Sequence, residues 1–484
     1  MLFNSYIFVL LFLPLCIIGY FGCNHFGRYR LGQAFLLGMS LWFYGYFHVE
    51  YLLIMAVSVL CNYGFYVLLG RVSGKRGRRW LLAGALLVNL GLLFYFKYFD
   101  FFLENVNVVS GQAFPLRSVL LPLGISFFTF QQISFVVDAY RGEVPGYDFL
   151  HYACFVTYFP QLIAGPIVTH EELVPQFLDE GRKCFQWGNF IRGMYLFALG
   201  LGKKVLIADT FGTGVNWGFG NIELLNSTDA CLVMLFYTIQ IYFDFSGYCD
   251  MAVGLGRMMN LELPLNFDSP YRACTITEFW DRWHMTLTRF FTKYVYIPLG
   301  GSRRGKGRTC LNVMIVFLVS GLWHGANWTF VLWGLCHGVC SVLTRLWKGW
   351  LKRIPGQVQW LFTFLFLNVT WVLFRADSIG DALKLLGRIG DLEFGGIGSS
   401  LAAGFFLPEC ELLSSLIPVS WLGPKFFLVV FLAVALFLLF GVSNAYERMK
   451  RFEPTMGRLL VTAVLLVWCI CSFSGVSTFL YFNF

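Results

Sequence analysis

The octapeptide Gly321-Leu-Trp-His-Gly-Ala-Asn-Trp328 stands between two apolar runs, 310–323 and 326–346. A helix that crosses a bilayer needs about 20 predominantly apolar residues. An ionisable ring among such residues is costly unless it faces a cavity or a partner. The octapeptide therefore predicts a chain threaded through a membrane, with a polar space at membrane depth.

Working outward, further apolar candidates lie at 5–23, 32–48, 50–70, 80–103, 114–137, 151–169, 187–208, 229–256, 357–376, 425–443 and 457–475. They predict an all-α polytopic membrane protein with about 10 to 13 transmembrane or re-entrant helices. Composition agrees. The chain of 484 residues is 57% hydrophobic and only 13% charged, whereas a soluble chain is nearer half apolar and a quarter charged. That balance excludes a disordered chain, a nucleic-acid-binding domain with a basic face and an ordinary soluble enzyme. Tyr6–Tyr20 follows a start without positive charge and reads as a retained first helix. With no repeat and no linker, 1–484 reads as a single transmembrane domain, and 377–424 as an extracytoplasmic insert.

The net charge of +9 is concentrated in four clusters. These are Arg71 to Arg79, Arg303 to Arg308, Arg345 to Arg353 and Arg448 to Arg451. Basic loops stay on the cytoplasmic side, which places all four there; they also suit an anionic donor such as a coenzyme A thioester. The 14 cysteines include no Cys-x-x-Cys pair, and most sit in apolar runs, as small buried hydrophobes do. No disulfide frame or metal site is expected.

Three stretches break the helical pattern. Gly124–Tyr140 carries Gln131, Gln132 and Asp138 in apolar surroundings. Tyr158–Pro166 is too rich in Pro and Gly for a straight helix. Residues 262–300 alternate charge and aromatic rings, and their segment 278–291 reads as one amphipathic helix, lying at the interface or folded into the bundle. Irregular backbone at membrane depth is tolerated only inside protein or against a wet cavity, so these stretches predict a funnel.

His324, in the opening octapeptide, is the chief candidate for chemistry. Its reading by spacing alone lies between a satisfied core histidine and a general base, since imidazole can take a proton from a hydroxyl and return it. His337 follows 13 residues later, about 220° around if the helix is continuous, and reads as structural. His284, among polar neighbours, suits an interfacial helix. Asp244 and Asp250 read as buried carboxylates that pair with Arg257 or Arg282, or line a polar path. The chain shows no nucleophile elbow, Walker A loop or dinucleotide fingerprint.

Taken together, Ser320–Gly338, Asn266–Tyr271 and Phe279–Leu287 resemble the signature of membrane-bound O-acyltransferases. Phe127–Gln131, Tyr158–Pro166, Asp244–Tyr248 and the closing Tyr481–Phe484 resemble the branch that holds the alginate O-acetylation membrane subunit. The resemblance runs nearly the whole length. It implies a ring of tilted helices around a central funnel in the bacterial cytoplasmic membrane. It puts the family's invariant histidine at His324, and at His284 the second position, which is His in this branch and Asn in many eukaryotic members. It implies acetyl-CoA as donor substrate with no resident cofactor, a polysaccharide acceptor, and an extracytoplasmic SGNH-type partner. Arg303, Arg304, Trp323 and Asn327 are the candidates for contact with the donor, and His284, Asn327 or a backbone N–H for steadying the oxyanion.

Three rivals accompany this reading. D-alanyl transfer to teichoic acid would use a carrier-protein thioester. A proton-coupled transporter would use Asp244, Asp250 and His324 as a relay. A pure scaffold would make His324 dispensable and the insert 377–424 essential.

Overall fold

The computed structural model describes residues 1–417, 419, 421–473 and 479–480. The Tyr481–Phe484 motif lies outside the described residues. Among them, regular structure is helical, with one isolated bridge between Phe267 and Trp283. The protein is an all-α polytopic membrane protein. Among the described residues six helices are long and apolar enough to cross a bilayer, and Pro424–Phe440 and Met456–Cys471 are shorter apolar ones. Two expected segments differ from the sequence reading. Helix replaces 114–137 only from Ile125 onward, and the 151–169 segment breaks after Thr157. Pro160 lacks a backbone donor, and the chain leaves helical geometry beyond Leu162.

The chain divides into two compact units. The first comprises Met1–Leu199, Tyr248–Leu265 and Met449–Phe473. It contains α1 (Val49–Arg71), α2 (Lys75–Leu93) and α3 (Ile125–Arg141). Their apolar surfaces give no preference for one neighbour over lipid, so buried amides do the tying. Asn62 Nδ2 donates to Gln132 Oε1 at 2.6 Å and to Asn89 Oδ1 at 3.2 Å, and Asn89 Nδ2 returns a bond to Asn62 Oδ1 at 2.7 Å. Gln132 is thus spent on holding three helices together. Asp138, at the far end of α3, lies 3.6 Å from Arg141 and 3.5 Å from His170 Nε2.

The second unit comprises Gly200–Gly247, Asn266–Arg448 and the described tail residues. Its helices are α4 (Ser227–Met258, which also continues into the first unit), α5 (Ile276–Arg282), α6 (Met285–Phe291), α7 (Lys306–His324), α8 (Trp328–Leu346) and α9 (Gly356–Arg375). The helices of the α7–α8 hairpin approach closely, and glycines explain it. A methyl group on Gly334 would lie 2.5 Å from the Phe317 carbonyl oxygen and 3.3 Å from Gly321 Cα. Only two glycines facing one another permit such an approach of backbones.

Asp244 on α4 does not pair with either expected arginine. Lys204 Nζ lies 2.6 Å from Asp244 and 2.8 Å from Asp209, all three buried or nearly so. Arg257 instead meets Glu262, and Arg282 meets Glu278 one turn back on the same helix. The tail docks at the same place: Leu480 N–H donates to Asp244 Oδ2 at 3.0 Å, and the Phe479 ring lies under the Lys204 ammonium at 4.6 Å. The insert 377–424 begins with the helix Ile379–Gly390, whose Arg388 bonds the Glu223 carbonyl and carboxylate, and Gly398 N–H bonds Asp229. The insert is fastened to the start of α4.

Candidate active site

His324 is the last residue of α7, and Gly325 leaves the helix in extended conformation. The next helix needs a cap for its first N–H groups, and Asn327 provides it, accepting from Thr329 N–H at 3.0 Å. Asn327 Nδ2 donates to the Asp377 carbonyl at 2.8 Å, so this side chain fixes the turn. His324 therefore occupies the tip of a helical hairpin, not the middle of a span. Its ring is buried between Trp323, Trp333 and Phe374, with centroids at 4.9, 5.2 and 5.1 Å.

His284 interrupts what the sequence reads as one amphipathic helix. Its φ and ψ are 47° and 49°, the left-handed region, and they separate α5 from α6. Histidine and asparagine are among the few side chains that visit this region with any frequency. A short ladder holds the turn: Asp268 N–H bonds the Arg282 carbonyl at 2.9 Å and Met285 N–H bonds the Asn266 carbonyl at 3.0 Å, on either side of the Phe267–Trp283 bridge. The fully buried ring meets Phe245 edge-on at 4.8 Å, places Nδ1 3.1 Å from Asn266 Oδ1, and lies 6.1 Å from Trp323. Trp323 thus neighbours both imidazoles, and the structure brings His284, Trp323 and His324 into one cluster.

His337 is on a different helix from His324, so the angular argument from one continuous helix does not apply. Both rings converge on Trp333, at 4.7 Å for His337. Trp280 Nε1–H donates to His337 Nδ1 at 3.2 Å, and His337 Nε2 lies 3.1 Å from Thr370 Oγ1. An indole N–H can only donate, so the neutral ring carries its hydrogen on Nε2. Both nitrogens are engaged in holding α5, α8 and α9 together.

A cavity of about 200 Å³ opens beside this cluster. It is bounded by the exposed Asp281 and Arg345, walled by Trp280, Phe291 and Phe317, and reaches the buried Ser320, one turn before His324. Along α7 its lining runs from Val313 to Ser320, roughly 10 Å at 1.5 Å per residue. Arg303 and Arg304 are not part of it. They sit in the exposed turn before α7, roughly 27 Å from His324 by the rise of its helix.

Residues 6–377 match the profile of the membrane-bound O-acyltransferase family. The chain belongs to the membrane-bound O-acyltransferase family. It is an acyltransferase and an integral membrane protein. A peptidoglycan O-acetyltransferase of Helicobacter pylori is 37% identical to it, covering 100% of this chain and 98% of the relative. A probable alginate O-acetylase of Pseudomonas putida is 40% identical, with 80% of each chain covered. A teichoic acid D-alanyltransferase of Streptococcus thermophilus is 27% identical over 49% of this chain and 60% of the relative. As a membrane-bound O-acyltransferase the chain has relatives named for peptidoglycan, alginate and teichoic acid, and two of its buried histidines, His284 and His324, flank Trp323 in one aromatic cluster.

Sequence reasoning missed a second polar cluster, in the first unit. Asp138, His170 and Glu171 bring one ligand-type atom each within 4.8 Å of one another. Spacing hides it, because 32 residues separate Asp138 from His170. The Arg141 guanidinium beside Asp138 supplies positive charge there, so the cluster reads as an ionic network.

Proposed function

We propose that the protein moves an acetyl group from a cytoplasmic thioester, acetyl-CoA, to a hydroxyl of a cell-wall polysaccharide on the other side of the membrane. The observation that carries this reading is the hairpin tip: a buried imidazole, its neighbour His284 across Trp323, and a cavity that approaches within one helical turn. The thioester arm enters past Arg345 and lies in the cavity with its acyl carbon toward the tip. An acceptor hydroxyl loses its proton to His324 as its oxygen bonds the acyl carbon. The C–S bond then breaks, and the proton passes from His324 to the departing thiolate. The backbone of the Gly325–Asn327 turn steadies the oxyanion, while His284 orients the reacting groups. Peptidoglycan is the favoured acceptor, because the relative of that activity aligns over the entire chain. The hydroxyl that first takes the acetyl group belongs to an SGNH-type partner, which then transfers it from its own ester to a hydroxyl of the polysaccharide, and the insert 377–424 is the partner's docking surface.

General-base assistance contributes roughly 10²–10⁴-fold. His324→Ala should lower acetylation by that factor without loss of folded protein, measured as labelled ester on isolated peptidoglycan in a strain or a reconstituted system. Wild-type ester formation by His324→Ala would overturn the assignment. Turnover that requires an acylated carrier protein in place of acetyl-CoA would move the reading to the D-alanyl branch.

A further inference from the structure

We propose that Asn266 is a positioning residue that fixes the tautomer of His284, so that this ring meets the substrates as a hydrogen-bond acceptor. The inference rests on the reading of His284 as part of the reacting cluster. Asn266 Oδ1 lies 3.2 Å from Thr286 N, 2.9 Å from Thr286 Oγ1 and 3.1 Å from His284 Nδ1. A backbone N–H can only donate, so the amide atom it meets is the oxygen and not the nitrogen. The same oxygen faces His284 Nδ1. That nitrogen must therefore carry the hydrogen, and in a neutral imidazole the lone pair then resides on Nε2. Burial among Phe245, Phe267 and Trp323 keeps the ring neutral by penalising its charged form.

The backbone makes this arrangement specific. His284 lies in the left-handed region, and its flanking residues pair with 266–268 through main-chain bonds. The turn brings His284 Nδ1 opposite the side chain of Asn266. A non-glycine residue in this conformation is strained, and the strain persists only where its surroundings fix it. The assignment has a chemical consequence. A neutral His284 with Nδ1–H committed to Asn266 offers no N–H at Nε2, so it holds an O–H or N–H of donor or acceptor. The oxyanion is left to the backbone of the turn after His324.

The test uses the full-length protein in lipid with labelled acetyl-CoA. Asn266→Ala should lower kcat by 10- to 100-fold and leave the donor KM within twofold. Asn266→Asp, which keeps an acceptor oxygen, should recover most of kcat. Combining Asn266→Ala with His284→Ala should cost no more than His284→Ala alone. Thr286→Val, which removes one bond to the same oxygen and leaves the ring untouched, controls for the fold and should stay within threefold of wild type. Multiplicative losses in the double variant, or no rescue by Asp, would overturn the proposal. Wild-type turnover by His284→Ala would instead remove the underlying reading of His284, which separates the two failures.

Discussion

Replacing Gly334 by Ala tests whether the hairpin's close contact sets the geometry of the site. The added methyl would meet the Phe317 carbonyl oxygen at 2.5 Å and Gly321 Cα at 3.3 Å. That is about 1 Å short of a relaxed separation. Both obstacles are backbone, so no side chain can swing aside and α7 and α8 must part. Overpacking of this kind costs about 1–3 kcal/mol, and the upper half of that range applies here. For a unit of roughly 150–250 residues each kcal/mol lowers Tm by about 2–4 °C, which gives a fall of about 4–12 °C. Parting the helices also shifts His324 by a fraction of an ångström to 1 Å, and misplacement on that scale can lower kcat by up to about 10²-fold. Thermal unfolding in detergent, followed by size exclusion, reads the first quantity; single-turnover acetyl transfer reads the second. Gly349→Ala, where nothing lies within 4 Å of the added methyl, is the control and should be neutral. If Gly334→Ala kept both Tm and kcat, the claim that glycine contact fixes the hairpin would be wrong.

Lys204→Met should destabilise the protein by about 3–5 kcal/mol, because it leaves Asp244 and Asp209 buried without their cation; adding Asp244→Leu should restore most of the loss in the same melting assay, and a stable single variant would contradict the pairing. Arg345→Glu should raise the KM for acetyl-CoA roughly tenfold, the worth of one charge-assisted contact, with kcat unchanged; an unchanged KM would move the donor out of the cavity. Burial pushes His284 down to about 3, so the ring gains charge only as pH falls through that value and stays neutral from pH 5 to 8. Any acid limb in kcat/KM above pH 5 should therefore persist, at the same position, in His284→Asn, and its disappearance there would refute the neutral ring.

The membrane class was legible because hydrocarbon imposes a length and a composition on every span, and 57% hydrophobic residues leave few other solutions. The Pro and Gly of Tyr158–Pro166 and the polar residues around His324 were legible for the same reason: each is costly in plain lipid. Partners were not legible. Lys204 is one residue from a second lysine, and nothing in one dimension shows that it, and neither Arg257 nor Arg282, would reach Asp244. Gln132 looked like a cavity lining and proved to be a tie between helices, since an amide at depth serves equally well for either. The break at His284 was hidden because the charged and aromatic periodicity of 278–291 continues through it; the interruption is a matter of one φ angle, which side-chain pattern does not encode. Nor did spacing reveal that His324 and His337, on separate helices, share Trp333.

That φ angle also limits which amino acids can occupy position 284. The resemblance to the wider family implies His there in one branch and Asn in another, two residues with little chemistry in common. What they share is tolerance of a left-handed main chain. A β-branched or bulky apolar residue would have to rebuild the turn before it could be judged as a catalyst. The repertoire of side chains open to natural variation here is therefore filtered by conformation first and by reactivity second, and a selection experiment at this codon should recover Asn, Asp and Gly as folded proteins long before it recovers another functional imidazole substitute.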